Sequence, residues 1–462
     1  MIAIAGYKIL EQIYARSKTV VYRALREIDR QAVIIKSLRT DYPSLKDIAQ
    51  IKQEYEIVKN LGIPGVVKAL GLATYNNGIA LILEDFGGIS LERAIASGKK
   101  IELPRFLHLA IQLADAVAQL HQKNIIHKDI KPDNIVINSE TNQIKIIDFG
   151  IATRLSKETE RISNPNLLEG TLAYISPEQT GRMNRHIDYR TDFYSLGVTF
   201  YEMLTGILPF TATDPMELVH CHIAKIPTPP HFINAQIPPV LSEIVMKLLA
   251  KTAEDRYQSA WGIKADLKTC LNHWLATGNI EHFPLGTQEI SEKFQITQKL
   301  YGRKTEVSVL LDTFARVSKG TTEMMLVAGY SGIGKSALVD EIHKPIVGLH
   351  GYFISGKFDQ FKRNIPYSSV IQAFQELMRQ LLTESGEKLE NWKAKLLAAL
   401  GKNGQVIIDV IPELELIIGK QPDVPILGST ESQNRFNLVF KQFIHVFTKK
   451  EHPLVVFLDD LQ

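Results

Sequence analysis

His127–Asn134 reads HKDIKPDN and Lys145–Gly150 reads KIIDFG, and these two stretches decide the fold. They place carboxylates at Asp129 and Asp148 and an amide at Asn134 in polar segments set among apolar residues. Taken alone, either stretch reads as a polar surface turn followed by a buried strand. The segment before them, LHLAIQLADAVAQLHQ, carries Leu109, Leu113, Val117 and Leu120 at helical spacing, so it predicts a core helix that positions the polar loop after it.

Together and in this order, the two stretches resemble the catalytic loop and metal-binding loop of protein kinases, HRDLxxxN followed by DFG. The resemblance implies a two-lobed α+β kinase fold and transfer of the γ-phosphoryl of ATP. That reaction spreads negative charge over oxygens, so it depends on metal ions and on holding the acceptor hydroxyl in line. Asp129 is then the catalytic base and Lys131 the cation that neutralises the moving phosphoryl. A lysine at that place favours serine/threonine over tyrosine acceptors. Magnesium prefers hard oxygen ligands and keeps several waters, so Asn134 and Asp148 suffice beside the substrate phosphates. Manganese is the expected substitute.

The remaining parts of the kinase pattern follow in order. Lys36 ends the apolar run AVIIK and matches the lysine that grips the α- and β-phosphates. Glu54, on an amphipathic helical pattern with Ile57, Val58 and Leu61, is implied as its partner. LILEDFGG resembles the hinge between lobes: Leu83 guards the back of the adenine pocket, and the backbone around Glu84 and Phe86 meets adenine. GTLAYISPE resembles the substrate-docking loop, with Thr171 bonding the catalytic Asp and Lys, and Glu178 buried against Arg256 of EDRYQSA. Asp192 resembles the helix-borne aspartate that braces the catalytic loop.

One element departs from the pattern. The nucleotide-covering loop of kinases reads GxGxxGxV, and here Tyr14, Arg16 and Thr19 stand at the three glycine positions. Either the side chains of Ser17, Lys18 and Thr19 replace backbone contacts, or the domain is a pseudokinase or nucleotide-sensing scaffold. Lys128, where many loop-regulated kinases have arginine, keeps the charge but lacks the bidentate fork.

A second nucleotide motif stands downstream. Gly329–Ser336 reads GYSGIGKS and fits GxxxxGK[ST], the phosphate-binding loop of P-loop NTPases. The apolar run MMLVA before it predicts a strand, and SALVDEIH after it a helix. In that motif Gly329 and Gly334 shape a cradle of backbone N–H groups, Lys335 reaches the β- and γ-phosphates, and Ser336 coordinates magnesium. PLVVFLDD resembles a Walker B strand, with Asp459 near the metal and Asp460 beside the attacking water. LYGRKTEVSVLLDTF resembles the entry to signal-transduction ATPases of the AAA class. The whole resembles the amino-terminal part of a cyanobacterial-type sensor protein in which a serine/threonine kinase precedes an ATPase. Two residues follow the Walker B strand, so the α/β P-loop NTPase domain is expected to be incomplete.

Length and composition agree. A chain of 462 residues accommodates two or three domains, and 45% hydrophobic with 22% charged residues is ordinary for globular protein. The expected division is a small lobe over 1–86, a large lobe over 87–275, a linker over 276–299 and the P-loop domain over 300–462. A net charge of +3, from 53 basic and 50 acidic residues, is too balanced to suggest nucleic acid as a partner. No apolar run approaches a membrane span, and two cysteines fit a reducing cytoplasm. Expected partners are protein substrates and downstream signalling domains or proteins; oligomeric state leaves no motif.

Overall fold

The computed structural model describes residues 4–15, 18–40, 43–75, 78–97, 101–154, 171–181, 187–289, 302–330, 333–342, 345–346, 351–358, 367–382, 384, 386–425 and 427–460. The first half opens with an antiparallel sheet of five strands, β1 (Tyr7–Ala15), β2 (Thr19–Arg26), β3 (Ala32–Leu38), β4 (Ala69–Tyr75) and β5 (Gly78–Glu84), in the order β1-β2-β3-β5-β4. Strand alternation sends Val33 and Ile35 of β3 to one face, where they join Val20, Tyr22, Ala24, Ala80 and Ile82. The same alternation sends Lys36 to the other face.

Helix α1 (Leu45–Val58) starts at Ser44, whose hydroxyl accepts from the Asp47 amide. Its buried residues are Ile51, Glu54, Ile57 and Val58, so a carboxylate sits within the apolar stripe. A buried carboxylate needs a cation, and the side of β3 bearing Lys36 supplies it.

Beyond the hinge come α2 (Leu91–Ala96) and α3 (Leu103–Gln122). Leu109, Leu113, Val117 and Leu120 of α3 are buried, as their spacing predicts. Further helices complete the large lobe: α4 (Arg190–Thr205), α5 (Pro215–Ala224), α6 (Pro230–Ile233), α7 (Pro239–Leu248) and α8 (Ala260–Thr277). One apolar core runs from Leu38 and Leu83 through α3 and α4 to Ile280. Ile280, Phe283 and Leu285, inside the expected linker, pack onto this core.

In the second half, strands Tyr352–Lys357 and Leu454–Asp459 pair in parallel, from Tyr352 opposite Leu454 to Lys357 opposite Asp459. Helix Ser368–Leu381 covers them with Ala373, Phe374, Leu377, Met378 and Leu381, and helices Gly386–Leu400 and Ser429–Phe447 close the core. The expected strand over MMLVA is not formed. Residues 321–330 have no regular structure, and Met324 and Leu326 are exposed. Among the described residues the two strands of this half pair only with one another, and the apolar run 324–328 joins neither outer edge of that pair. No helix among the described residues is long and apolar enough to cross a membrane.

Gly356 marks where strand and helix meet in this half. A Cβ there would stand 1.8 Å from the Ser369 carbonyl oxygen, which is backbone and cannot swing aside. Gly356→Ala is therefore expected to destabilise the second half by about 1–3 kcal/mol, the cost of overpacking. Thermal unfolding of the full chain should show the second-half transition lowered and the first-half transition kept; an unchanged profile would refute the close approach.

Candidate active site

Lys36 is the meeting point of three elements. Its Nζ donates to Glu54 Oε2 at 2.7 Å and to Asp148 Oδ1 at 2.8 Å. Glu54 in turn accepts from the Phe149 amide at 3.2 Å, so α1 is tied to both β3 and the metal loop. Burial works against the lysine charge, but the Asp148 and Glu54 carboxylates outweigh it and hold the ammonium above its ordinary range. The two acids divide differently. Desolvation pushes Glu54 up despite Lys36, whereas at Asp148 the lysine charge and hydrogen bond more than offset burial, and the carboxyl lies well below the usual range. Asp148 is thus held as the carboxylate.

Asp148 has φ 64° and Lys128 φ 67°, both in the left-handed region. Such backbone costs about 1–3 kcal/mol per residue and persists only where the surroundings fix it. Lys36 fixes Asp148. Asp192 fixes Lys128: one carboxylate accepts from the Lys128 amide at 2.8 Å, the His127 amide at 3.0 Å and His121 Nε2 at 2.8 Å. His127 packs edge-on against Phe149 at 4.7 Å, joining the catalytic loop to the metal loop.

Around Asp129 the expected set is assembled. Lys131 Nζ donates to Asp129 Oδ2 at 2.6 Å and to the Thr171 hydroxyl, and the Thr171 amide donates to Asp129 Oδ1 at 3.1 Å. Asn134 Nδ2 donates to Asp129 at its carbonyl and at Oδ2, both at 2.9 Å. That orientation leaves Asn134 Oδ1 as the free face of the amide. An amide oxygen and an ionised carboxylate are both hard donors of the kind magnesium takes.

At the hinge, Leu83 is buried behind the cleft. The Glu84 side chain is committed to the Lys68 amide at 2.7 Å and to Lys145, and its own amide donates to the Lys68 carbonyl at 3.0 Å, so of its polar groups only the backbone carbonyl is left to face a base. Phe86 is pinned by Asn138, whose Nδ2 donates to the Phe86 carbonyl at 2.9 Å. Across the mouth, Tyr14 Oη lies 3.5 Å from Asp133 Oδ2, so the tyrosine at the first glycine position reaches the catalytic loop. Arg16 and Ser17 lie outside the described residues.

The substrate segment is held by a buried ion pair. Arg256 donates to Glu178 Oε1 at 2.6 Å and Oε2 at 2.8 Å, to the carbonyls of Arg190 at 2.9 Å and Ala250 at 2.8 Å, and to that of Lys251 at 3.3 Å. These five bonds match the five N–H groups of a guanidinium. Burial raises Glu178, but the Arg256 charge and hydrogen bonds outweigh it, leaving the carboxyl below its ordinary value. Two glutamines had no motif to flag them. Gln179 Nε2 donates to the Lys128 carbonyl at 2.8 Å, and Gln258 Nε2 donates to three carbonyls of the turn that carries Arg256. Only their place beside an essential acid and arginine could have drawn attention to them.

In the second half, Gly334 has φ 95° and helix Lys335–Asp340 follows it directly, as a phosphate-binding loop requires. Lys335 Nζ folds back to the carbonyls of Gly329 at 2.9 Å and Tyr330 at 3.2 Å, and Ser336 is exposed. Ser331 and Gly332 lie outside the described residues. Asp459 ends its strand, and Asp460 pairs with Lys357 at 3.0 Å.

Two expectations follow. Arg256→Ala leaves Glu178 charged and buried, so it should destabilise the first half by about 3–5 kcal/mol. Chemical denaturation checks this, and a loss under about 1 kcal/mol would contradict it. Lys251 stands beside the pair, with Nζ donating to Tyr194 Oη at 3.3 Å and the Cys221 carbonyl at 3.2 Å. Burial, helped by Arg256, pushes its amine down to about 7. From about pH 7 to about pH 10 the unfolded chain binds a proton there that the folded chain lacks, so stability rises with pH across that window. The melting temperature of wild type should therefore climb more steeply from pH 7 towards 9 than that of Lys251→Met; parallel slopes would contradict the shift.

Comparison with known proteins agrees with this geometry. The protein kinase domain family matches residues 7–274, and the AAA ATPase domain family matches residues 299–462. A hybrid signal transduction histidine kinase G from Dictyostelium discoideum is 36% identical over 449 residues, 78% of this chain and 13% of that protein. The serine/threonine-protein kinase PrkC of Bacillus subtilis is 32% identical over 270 residues, 58% of this chain and 40% of its own. The serine/threonine-protein kinase PknB of Mycobacterium tuberculosis is 33% identical over 247 residues, 51% of this chain and 38% of its own. The chain thus spans less than half the length of each of these relatives. With the kinase match covering more than half of its residues, and with an AAA ATPase domain fused behind, the chain belongs to the protein kinase family.

Proposed function

We propose that this chain is a serine/threonine protein kinase of a signalling pathway, using ATP and magnesium, with manganese as a substitute, joined to a nucleotide-binding AAA-type domain. The observation that carries the reading is Lys36 bonded to Glu54, the ion pair that must be in place before phosphoryl transfer, with Asp148 drawn to the same site. The similarity to serine/threonine kinases of Bacillus and Mycobacterium favours the enzyme over a scaffold.

Each residue then has one task. The acceptor hydroxyl approaches Asp129, which orients it and takes its proton as the oxygen bonds to the γ-phosphorus and the bond to the departing ADP oxygen breaks. Lys131, anchored by Asp129 and Thr171, lies beside the path of the phosphoryl. Lys36 holds the α- and β-phosphates. Bound magnesium supplies charge neutralisation of the phosphates, with Asp148 and the Asn134 amide oxygen as its protein ligands. In the second half, Lys335 and Ser336 at the start of the helix after Gly334 would hold the phosphates, and Asp459 would complete the metal side. Cys221 and Cys270 are buried free thiols, which supports a cytoplasmic setting.

Radiolabelled phosphate transfer from ATP to a generic protein substrate, and to the chain itself, tests the reading. Wild type should label serine or threonine. Asp129→Ala should lose about a hundredfold or more, the usual worth of a positioned general base, and Lys335→Ala should keep transfer. Wild type inactive with both magnesium and manganese would overturn the proposal.

A further inference from the structure

The residues after α8 do not leave the kinase domain at once. Ile280 is buried, Phe283 and Leu285 lie on the large-lobe core, and the Gly286 amide donates to Asp266 Oδ2 at 2.8 Å. That same oxygen accepts from Tyr257 Oη at 2.6 Å. The strap ends with Glu289, whose Oε1 accepts from the Gln258 amide at 2.8 Å.

Two glycines let the strap come this close. A Cβ on Gly262 would stand 2.6 Å from Glu289 Cγ, and Gly286, at φ 74°, leaves room for Lys247 Nζ, which a Cβ would meet at 2.5 Å.

The partner of Glu289 is the hub of the turn that holds Arg256. Gln258 Nε2 donates to the carbonyls of Ala253 at 3.2 Å, Glu254 at 3.1 Å and Arg256 at 2.8 Å. Its Oε1 accepts from Arg190 at 2.8 Å, and its carbonyl accepts from Tyr189 Oη at 2.8 Å. Gln258 thus fixes the turn from its side chain and its backbone together, and Arg256 carries that fixed position to Glu178 at the end of the substrate segment.

We propose that Glu289 is a positioning residue for protein substrate: by holding the Gln258 amide it sets the Arg256 turn, and through Arg256 and Glu178 the Thr171–Glu178 segment. The inference rests on the kinase reading above.

The test is steady-state kinetics of the full chain with a serine/threonine peptide. Glu289→Ala is expected to raise the peptide KM about five- to tenfold, the scale of one ordinary hydrogen bond, with kcat and the ATP KM changed less than about twofold. Glu289→Gln keeps an acceptor oxygen and should restore wild-type values. Gly262→Ala keeps the carboxylate but displaces it, and should reproduce Glu289→Ala. An active wild type with unaltered peptide KM in Glu289→Ala, or a fall in kcat with KM unchanged, overturns this inference alone. A wild type with no transfer at all overturns the kinase reading and this inference with it.

Discussion

Everything in the first half is arranged around one cation between two carboxylates. Lys36 comes from the sheet, Glu54 from α1 and Asp148 from the loop of the large lobe, so the ion pairs at 2.7 and 2.8 Å join three separately folded elements. Glu54 is buried and Lys36 nearly so, and an unpaired charge in that setting costs several kcal/mol, so the pairing makes the joined arrangement the stable one. In the proposed reading the same lysine also meets the nucleotide phosphates, so the contact that joins the lobes would be the one that reads the substrate.

The large lobe repeats the logic twice. Asp192 gathers two backbone amides and His121, and thereby imposes the left-handed turn at Lys128 that presents Asp129. Arg256 and Glu178 hold the far end of the substrate segment, with all five guanidinium N–H groups placed. Buried charges with complete hydrogen bonding act here as rivets: each is expensive to break, and each sits where a loop must keep one shape for catalysis.

Much of this was legible in the chain itself. Glu54 lies on an apolar helical stripe, Lys36 stands near the end of a strand, and the loops of Asp129 and Asp148 follow the kinase pattern in order, so the fold of the first half could be read and the structure brings these residues together. What could not be read depends on packing without a motif. Gln258 and Glu289 are ordinary polar residues whose value comes from which backbone groups they reach. The segment 276–299 looked like a linker because it has Gly and Pro punctuation and no periodicity, yet Ile280, Phe283 and Leu285 suffice to dock its first part. The apolar run 324–328 looked like a strand from its hydrophobicity and its place before the phosphate-loop motif; a strand forms only by pairing with an edge, and the sequence does not say whether that pairing is made.

The measurement closest to the central claim is the single-turnover rate of phosphoryl transfer in Glu54→Gln, taken together with its ATP affinity. If the buried carboxylate is what holds Lys36 on the phosphates, the rate should fall by about a hundredfold, the scale of losing one preorganised electrostatic contact, while ATP still binds. A rate equal to wild type would mean that Lys36 needs no such partner, and the account built on it would fail.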